Sequence, residues 1–293
     1  MLARLPFVVA VAAVVAGAVA LDRAGGSESA GRAAVAVRPD LLMPAVRPAG
    51  AGSSTWYCAA GTAVGDGIAD HRVVVVNGSD EDRTATLTIV PGDVSRADGA
   101  GDEATTTTST STTTRPARTV TETVPVPAGE RVDVRLGDLV GAPLAAAVVE
   151  VDGGGVAIQH AVRGAHGADL GPCATAAAPA WHLAWGATTR DARDLVVLFN
   201  PFPSAATVDG TFVTEDGPRE PVRFQGFPVP ARSVVGVDLG DDVTRSKQVA
   251  ATFTARTGRI VVERVQQFDG TLGTEGLSLD LGVPAVAPTW VFA

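Results

Sequence analysis

From Trp56 onward the chain repeats itself, and two copies of about a hundred residues each are the size of two small domains of one kind. Trp56-Tyr57-Cys58-Ala59 returns as Trp181-His182-Leu183-Ala184. Arg72-Val73-Val74-Val75-Val76-Asn77 returns as the run ending Leu198-Phe199-Asn200. Val126-Pro127-Ala128-Gly129 returns as Val229-Pro230-Ala231-Arg232, each followed by alternating valines. The hairpin around Asp152-Gly153-Gly154-Gly155, closing on His160, returns around Gly258, closing on Arg264. Asn77 and Asn200 are 123 positions apart while Pro127 and Pro230 are 103 apart, so copy one holds 20 extra residues between these landmarks. The Gly/Asp-then-Thr/Ser tract 99–118 accounts for them. Such a tract buries too little apolar surface to order itself. It reads as a disordered insertion, either a bare loop or a site of O-glycosylation.

Within each copy the segments are short, rich in β-branched residues and bounded by Gly, Pro, Asn and Asp. Thr84–Ile89 and Arg131–Leu136 alternate polar and apolar, as strands with one wet face do. No stretch after residue 21 carries a 3.6-residue period. The reading is all-β: two tandem antiparallel β-sandwich modules of jelly-roll type, 53–175 and 176–293. The terminal Trp290-Val291-Phe292-Ala293 repeats the opening a third time, so the second module is either completed there or cut short before a third.

Leu5 to Leu21 is an unbroken apolar run behind Arg4, intermediate in length between a signal-peptide core and a membrane span. Ala18-Val19-Ala20 suits signal peptidase. Residues 1–21 are a signal peptide or a membrane anchor, with retention slightly favoured, and 22–52 form a flexible stalk. Either way the remainder is expected to lie extracytoplasmic, membrane-anchored or secreted. In that setting the two cysteines, Cys58 and Cys173, pair as a disulfide.

The chain has 23 basic and 32 acidic residues, a net charge of -9. That balance disfavours nucleic acid, which is held largely by phosphate neutralisation. Nucleophile-elbow, P-loop and zincin motifs are absent. His71, His160, His166 and His182 are scattered without ligand spacing. Asp80-Glu81-Asp82 sits in a turn that reads Pro201-Phe202-Pro203 in the other copy, and Asp238, Asp241 and Asp242 lie after a strand. No catalytic, metal-binding or cofactor-binding residue is assigned, and the protein is not expected to be an enzyme. Trp56, Trp181 and Trp290 recur and read as core anchors. Tyr57, Trp185 and Phe202 do not recur and are the candidates for ligand stacking. Asn77 and Asn200 recur as turn-capping or left-handed asparagines at a strand end, and Asn77-Gly78-Ser79 also fits a glycosylation triplet.

With Trp56-Tyr57-Cys58, Asn77, Val126-Pro127-Ala128-Gly129 and Cys173, the chain resembles an uncharacterised family of secreted or membrane-anchored proteins from high-GC bacteria, known only as a domain of unknown function. The resemblance covers about residues 53 to 293. A single module also looks like the small β-sandwich of the sensory-rhodopsin transducer family, through its opening Trp, the Val-Pro-Ala-Arg turn at 229–232 and the closing strand ending at 158–160. These resemblances imply a sandwich related in shape to carbohydrate-binding modules and transfer no catalytic residue. The expected function is a non-catalytic envelope protein that binds or scaffolds, its partner an envelope glycan or a membrane protein. The rival expectations are an envelope enzyme acting on polysaccharide and a structural subunit of a membrane assembly.

Overall fold

The structure is a computed structural model that describes residues 44–95 and 118–286. The leader, the stalk up to residue 43, the insertion up to residue 117 and Trp290 lie outside the described residues. Among the described residues no helix is long and apolar enough to cross a membrane.

Copy one forms β1 (Ser53–Cys58), β2 (Asp70–Asn77), β3 (Arg83–Ser95), β4 (Val120–Val126), β5 (Arg131–Arg135), β6 (Leu144–Asp152), β7 (Val156–Gly164) and β8 (Gly167–Pro172). Copy two forms β9 (Ala180–Leu183), β10 (Ala192–Asn200), β11 (Ala206–Thr214), β12 (Gly217–Arg219), β13 (Phe227–Val229), β14 (Ser233–Asp238), β15 (Val249–Thr257), β16 (Val261–Asp269) and β17 (Glu275–Leu281). The protein is all-β, as its patterning implies. In copy one, sheet I has the order β1-β6-β3-β4 and sheet II the order β5-β2-β7-β8. In copy two, sheet III runs β9-β15-β11 with β12 and β13 both on β11, and sheet IV runs β14-β10-β16-β17. Strand for strand the two halves superpose in topology, β4 being broken into β12 and β13 around a 3-10 turn at Val222–Phe224.

The copies are not independent beads. The last residues of β3 pair in parallel with β14, Val235 opposite Asp93 and Val237 opposite Ser95, so sheets I and IV are one continuous sheet. The reason lies in the two faces of sheet IV. Even-numbered residues Val196, Leu198, Val262 and Arg264 face the interior of copy two, while Leu195, Val197, Val261 and Val265 face copy one. Strands buried on both sides read as continuous apolar runs, and Leu195–Phe199 is such a run, fully buried throughout. The equivalent outer face of sheet II carries exposed Arg72, Gln159 and Arg163 and meets water. The same scaffold is thus wet outside in copy one and oily outside in copy two, and copy one supplies the cover, through Ala60, Val90, Leu144 and Val162 among others.

Copy one closes around Trp56, Leu87, Ile89 and Ile158. Copy two closes around Trp181 and the edge-to-face cluster of Phe212, Phe224 and Phe253. Trp56 and Trp181 are both 2% exposed, so the recurrent tryptophan is a core anchor. Cys58, at the end of β1, bonds Cys173, just past β8. The corresponding residues of copy two are Leu183 and Gly282, the latter against the Trp181 ring, so packing replaces the cross-link there.

Candidate functional site

Strand pairing sets His71 of β2 opposite Val162 of β7 and Val73 opposite His160, so the two imidazoles are diagonal neighbours on one face, and both are buried. His71 Nδ1 is 2.6 Å from the Ala145 carbonyl oxygen and its Nε2 is 2.9 Å from His160 Nδ1. A carbonyl only accepts, so His71 Nδ1 carries a hydrogen and, in the neutral ring, its Nε2 accepts from His160 Nδ1–H. The lone pair of His160 Nε2 then faces Glu263 Oε2 at 3.3 Å. Glu263 comes from β16 of the other copy, and the same oxygen accepts the backbone N–H groups of Ala59 (3.0 Å) and Ala60 (2.6 Å). All three side chains are buried. Burial pushes the Glu263 carboxyl up to about 8, against the pull of those two N–H groups. Burial holds His71 down to about 4 and drives His160 well below its ordinary value, with His71 adding to the effect on His160. One proton shared along this line keeps the buried set neutral.

Copy two repeats the arrangement in a different chemistry. Asp194 stands where His71 does and Arg264 where His160 does, with Nε–Oδ1 at 2.9 Å. Arg264 also donates to the Trp185 and Val249 carbonyls, the latter equivalent to Ala145. Burial raises Asp194 to about 7 in spite of Arg264 beside it. A glycine lies over each pair. A β-carbon on Gly61 would collide with the His71 ring, and one on Gly186 with Asp194 and Arg264. These are polar struts at one end of each sandwich, and only the first reaches across to the neighbouring copy. Glu263 escaped the sequence reading because its counterpart, Gln159, is an ordinary exposed residue.

Where the copies meet, a cleft of about 580 Å³ opens. Thr62, Asp66 and Ile68 of the β1–β2 connection line it from copy one, with Asp93 and Val94 at the tip of β3. Arg193 and Leu195 of β10 form the facing wall. Arg193 is held by Asp238 at 2.9 Å, and Asp93 is fixed by the parallel ladder to β14. The cleft therefore presents the Asp93 carboxylate and the Arg193 guanidinium on strands of one continuous sheet, with the Thr62 hydroxyl and the Asp66 carboxylate on the loop that faces them. Neither Asp66, Asp93 nor Arg193 belongs to any motif, and only the joining of two copies brings them together.

The stacking candidates divide. Trp185 is 52% exposed and lies against Phe268, ring centroids 6.1 Å apart and nearly parallel. Tyr57 and Phe202 are half-buried rather than open faces. Arg259 lies over the Phe202 ring at 5.2 Å and also acts on Tyr57, whose phenol burial pushes upward, with Glu150 adding to the rise and Arg259 opposing it. Tyr57 packs on the core of copy two, so it belongs to the joint. The acidic clusters are occupied locally: Asp82 accepts from Ala128 N–H, Glu81 pairs with Arg83, Asp238 with Arg193 and Asp242 with Arg223.

Asn77 and Asn200 are clasps. Each side-chain amide donates to three carbonyls, those of Glu81, Val126 and Pro127 in copy one and Ser204, Val229 and Pro230 in copy two. Each carbonyl oxygen accepts the N–H two residues on. Neither has positive φ, so the role is capping without the left-handed turn. The Asn77 amide nitrogen is buried and fully engaged, which makes the glycosylation triplet a coincidence of spelling.

Comparison with known proteins adds little chemistry. No curated protein matches the chain. The crystal structure of Thermotoga maritima 1070 is similar to 36% of this chain and 93% of its own, at 14% identity and a TM-score of 0.32. Residues 157–279, from β7 into β17, match the model of a family of unknown function, DUF5719, and it is to that uncharacterised family that this part of the chain is similar.

Proposed function

We propose that this protein is a non-catalytic binding or scaffolding component that works outside the cytoplasm, in the cell envelope, with the inter-module cleft as its ligand seat. The observation that carries the reading is the rigidity of that cleft. Asp93 and Arg193 stand on strands of one continuous sheet, Thr62 is fixed by its bridge to Asp70, and Asp66 is carried on the connection between β1 and β2, so most of the polar groups are held in place before any ligand arrives. Preorganised donors and acceptors of both signs suit a polyhydroxyl ligand such as an envelope glycan, or the polar backbone of a protein partner. The buried Cys58–Cys173 bridge suits an oxidising compartment.

The test is a glycan array and an envelope-fraction pull-down with residues 22–293, run beside Asp66→Ala and Arg193→Ala. Enrichment that both substitutions abolish supports the cleft as the seat. Absence of enrichment, or enrichment that neither substitution changes, refutes it. One observation favours a second reading, an enzyme acting on polysaccharide: two carboxylates, Asp66 and Asp93, line the same cleft. Release of reducing ends from a bound glycan, lost in Asp66→Asn or Asp93→Asn, would move the assignment there.

A further inference from the structure

We infer that the flank of copy two bearing Trp185 and Val213 is a docking surface for a further β-sandwich module of this same repeat. The fitting occupant presents an apolar outer sheet with a carboxylate at the position of Glu263.

The argument is the internal equivalence. Copy one covers sheet IV with a flank that includes Ala59, Ala60 and Val90, which are 0%, 0% and 4% exposed. Strand register puts Ala184, Trp185 and Val213 at the same three places in copy two, since Cys58 opposes Ala147 as Leu183 opposes Ala251, and Val90 opposes Ala146 as Val213 opposes Ala250. There Ala184 is exposed, Trp185 is 52% exposed and Val213 57%. A second, independent feature is polar. The N–H groups of Ala59 and Ala60 together hold the Glu263 carboxyl, whereas those of Ala184 and Trp185 meet no acceptor among the described residues. The flank thus repeats two elements of an interface already present in the molecule, apolar contact at these three places and a paired-donor seat for an acid, with the partner side open; Gln248 stands at the place of Leu144, and β11 ends at Thr214 without the extension by which β3 pairs with β14.

The occupant follows from what each available surface would cost. In a second copy of this chain, sheet IV is already covered, and the outer face of sheet II offers exposed Arg72 and Arg163 with Gln159 in place of the acid. Burying those guanidinium groups against an apolar flank is strongly unfavourable. A module whose outer strands read like Leu195–Phe199 and Val261–Val265, acid included, offers an apolar surface to Trp185 and Val213 and a carboxylate to the two open N–H groups.

The test lengthens the protein by its own pattern. The chain through Val283 is continued by a second copy of residues 175–286, in which Trp185 is replaced by Ala so that only the original Trp185 is an exposed indole of the described structure. Docking shifts the emission of that residue to the blue and removes its access to iodide, and Glu263→Arg in the added copy restores both. Trp185 remaining as accessible to iodide as in the shorter protein, with the added copy folded by near-ultraviolet circular dichroism, overturns the proposal. So does an added copy that stays unfolded, because docking would cover the apolar face it otherwise exposes. A blue shift of the shorter protein on adding envelope oligosaccharides would assign the flank to sugar stacking instead and overturn it equally.

Discussion

Replacing Glu263 separates two things the joint does, and the structure sets the size of each. In Glu263→Ala the N–H groups of Ala59 and Ala60 and the Nε2 of His160 lose their partner in a buried place. At about 1–3 kcal/mol for each orphaned group, and less where water enters the gap, the cost is about 3–5 kcal/mol. Glu263→Gln behaves differently. Its amide oxygen can take the place of Oε2 and still accept the two N–H groups, but the proton that Oε2 offers to His160 Nε2 is gone, so near pH 6 it costs about 1–3 kcal/mol, less than Ala. The variant does change the response to pH. The folded protein keeps the Glu263 proton up to about pH 8, while the unfolded chain releases it near 4.5. Folding therefore takes up a proton between those values. The stabilisation is greatest below the unfolded value and falls by about 1.4 kcal/mol per pH unit as the pH rises toward 8. His71 works in the other direction: held down to about 4 from 6.5, it contributes above 6.5, and its contribution is lost as the pH falls toward 4. Subtracting Glu263→Gln from the parent isolates the acid. Between pH 6 and 8 the parent's stability relative to Gln should fall by about 2–3 kcal/mol. It does not matter whether Glu263 or His160 carries the shared proton, because linkage counts protons and not their address. Urea unfolding followed by tryptophan fluorescence at several pH values measures all of this. An Ala variant that costs under about 1 kcal/mol, or a Gln variant with the parent's slope, would refute the joint as described.

Four further outcomes are expected. Cys58→Ser with Cys173→Ser, or reduction under denaturant, should lower stability by up to about 4–5 kcal/mol on the chain-entropy model, because the bridge closes a separation of 115 positions; an unchanged midpoint would argue against it. Gly186→Ala should cost more than about 2 kcal/mol, read by thermal unfolding, since the methyl meets the buried Asp194–Arg264 pair. Asn200→Ala should cost about 2–3 kcal/mol by orphaning buried carbonyls of Val229 and its neighbours, whereas an exposed turn asparagine would cost almost nothing. Arg232, the non-glycine residue at φ 47 where copy one has Gly129, should gain about 0.5–1 kcal/mol as Arg232→Gly, measured by the same denaturant midpoint.

The residues reveal the plan of each half far better than the way the halves meet. The repeated Trp, the strand-ending Asn and the Val-Pro-Ala turn all do local jobs, so their spacing maps directly onto β1, β2 and the clasp around Asn77. Cys58 and Cys173 are legible as a pair because two cysteines alone in a chain whose leader reads as an export segment have one obvious use. The joint was written in differences between the copies rather than in what they share. Arg72 becomes Leu195, Gln159 becomes Glu263 and Ala161 becomes Val265, and each change exchanges a wet outer face for a buried one. No periodicity search weighs such exchanges, because the period is the same in both copies. The cleft was invisible for a related cause: Asp66, Asp93 and Arg193 lie far apart along the chain and owe their meeting to a parallel ladder that no local pattern announces.

The oily outer surface of sheet IV also gives the halves an order of dependence. Copy one keeps the outer face of its sheet II wet and, severed, would bare only the flank around Ala60, Val90 and Leu144. Copy two, severed from it, would emerge with Leu195, Val197, Val261 and Val265 bare to solvent, a sticky plate of the kind that recruits other chains. The amino-terminal half is therefore a permanent escort for the carboxyl-terminal half, and a cut between them should leave the carboxyl-terminal fragment the more prone of the two to aggregate.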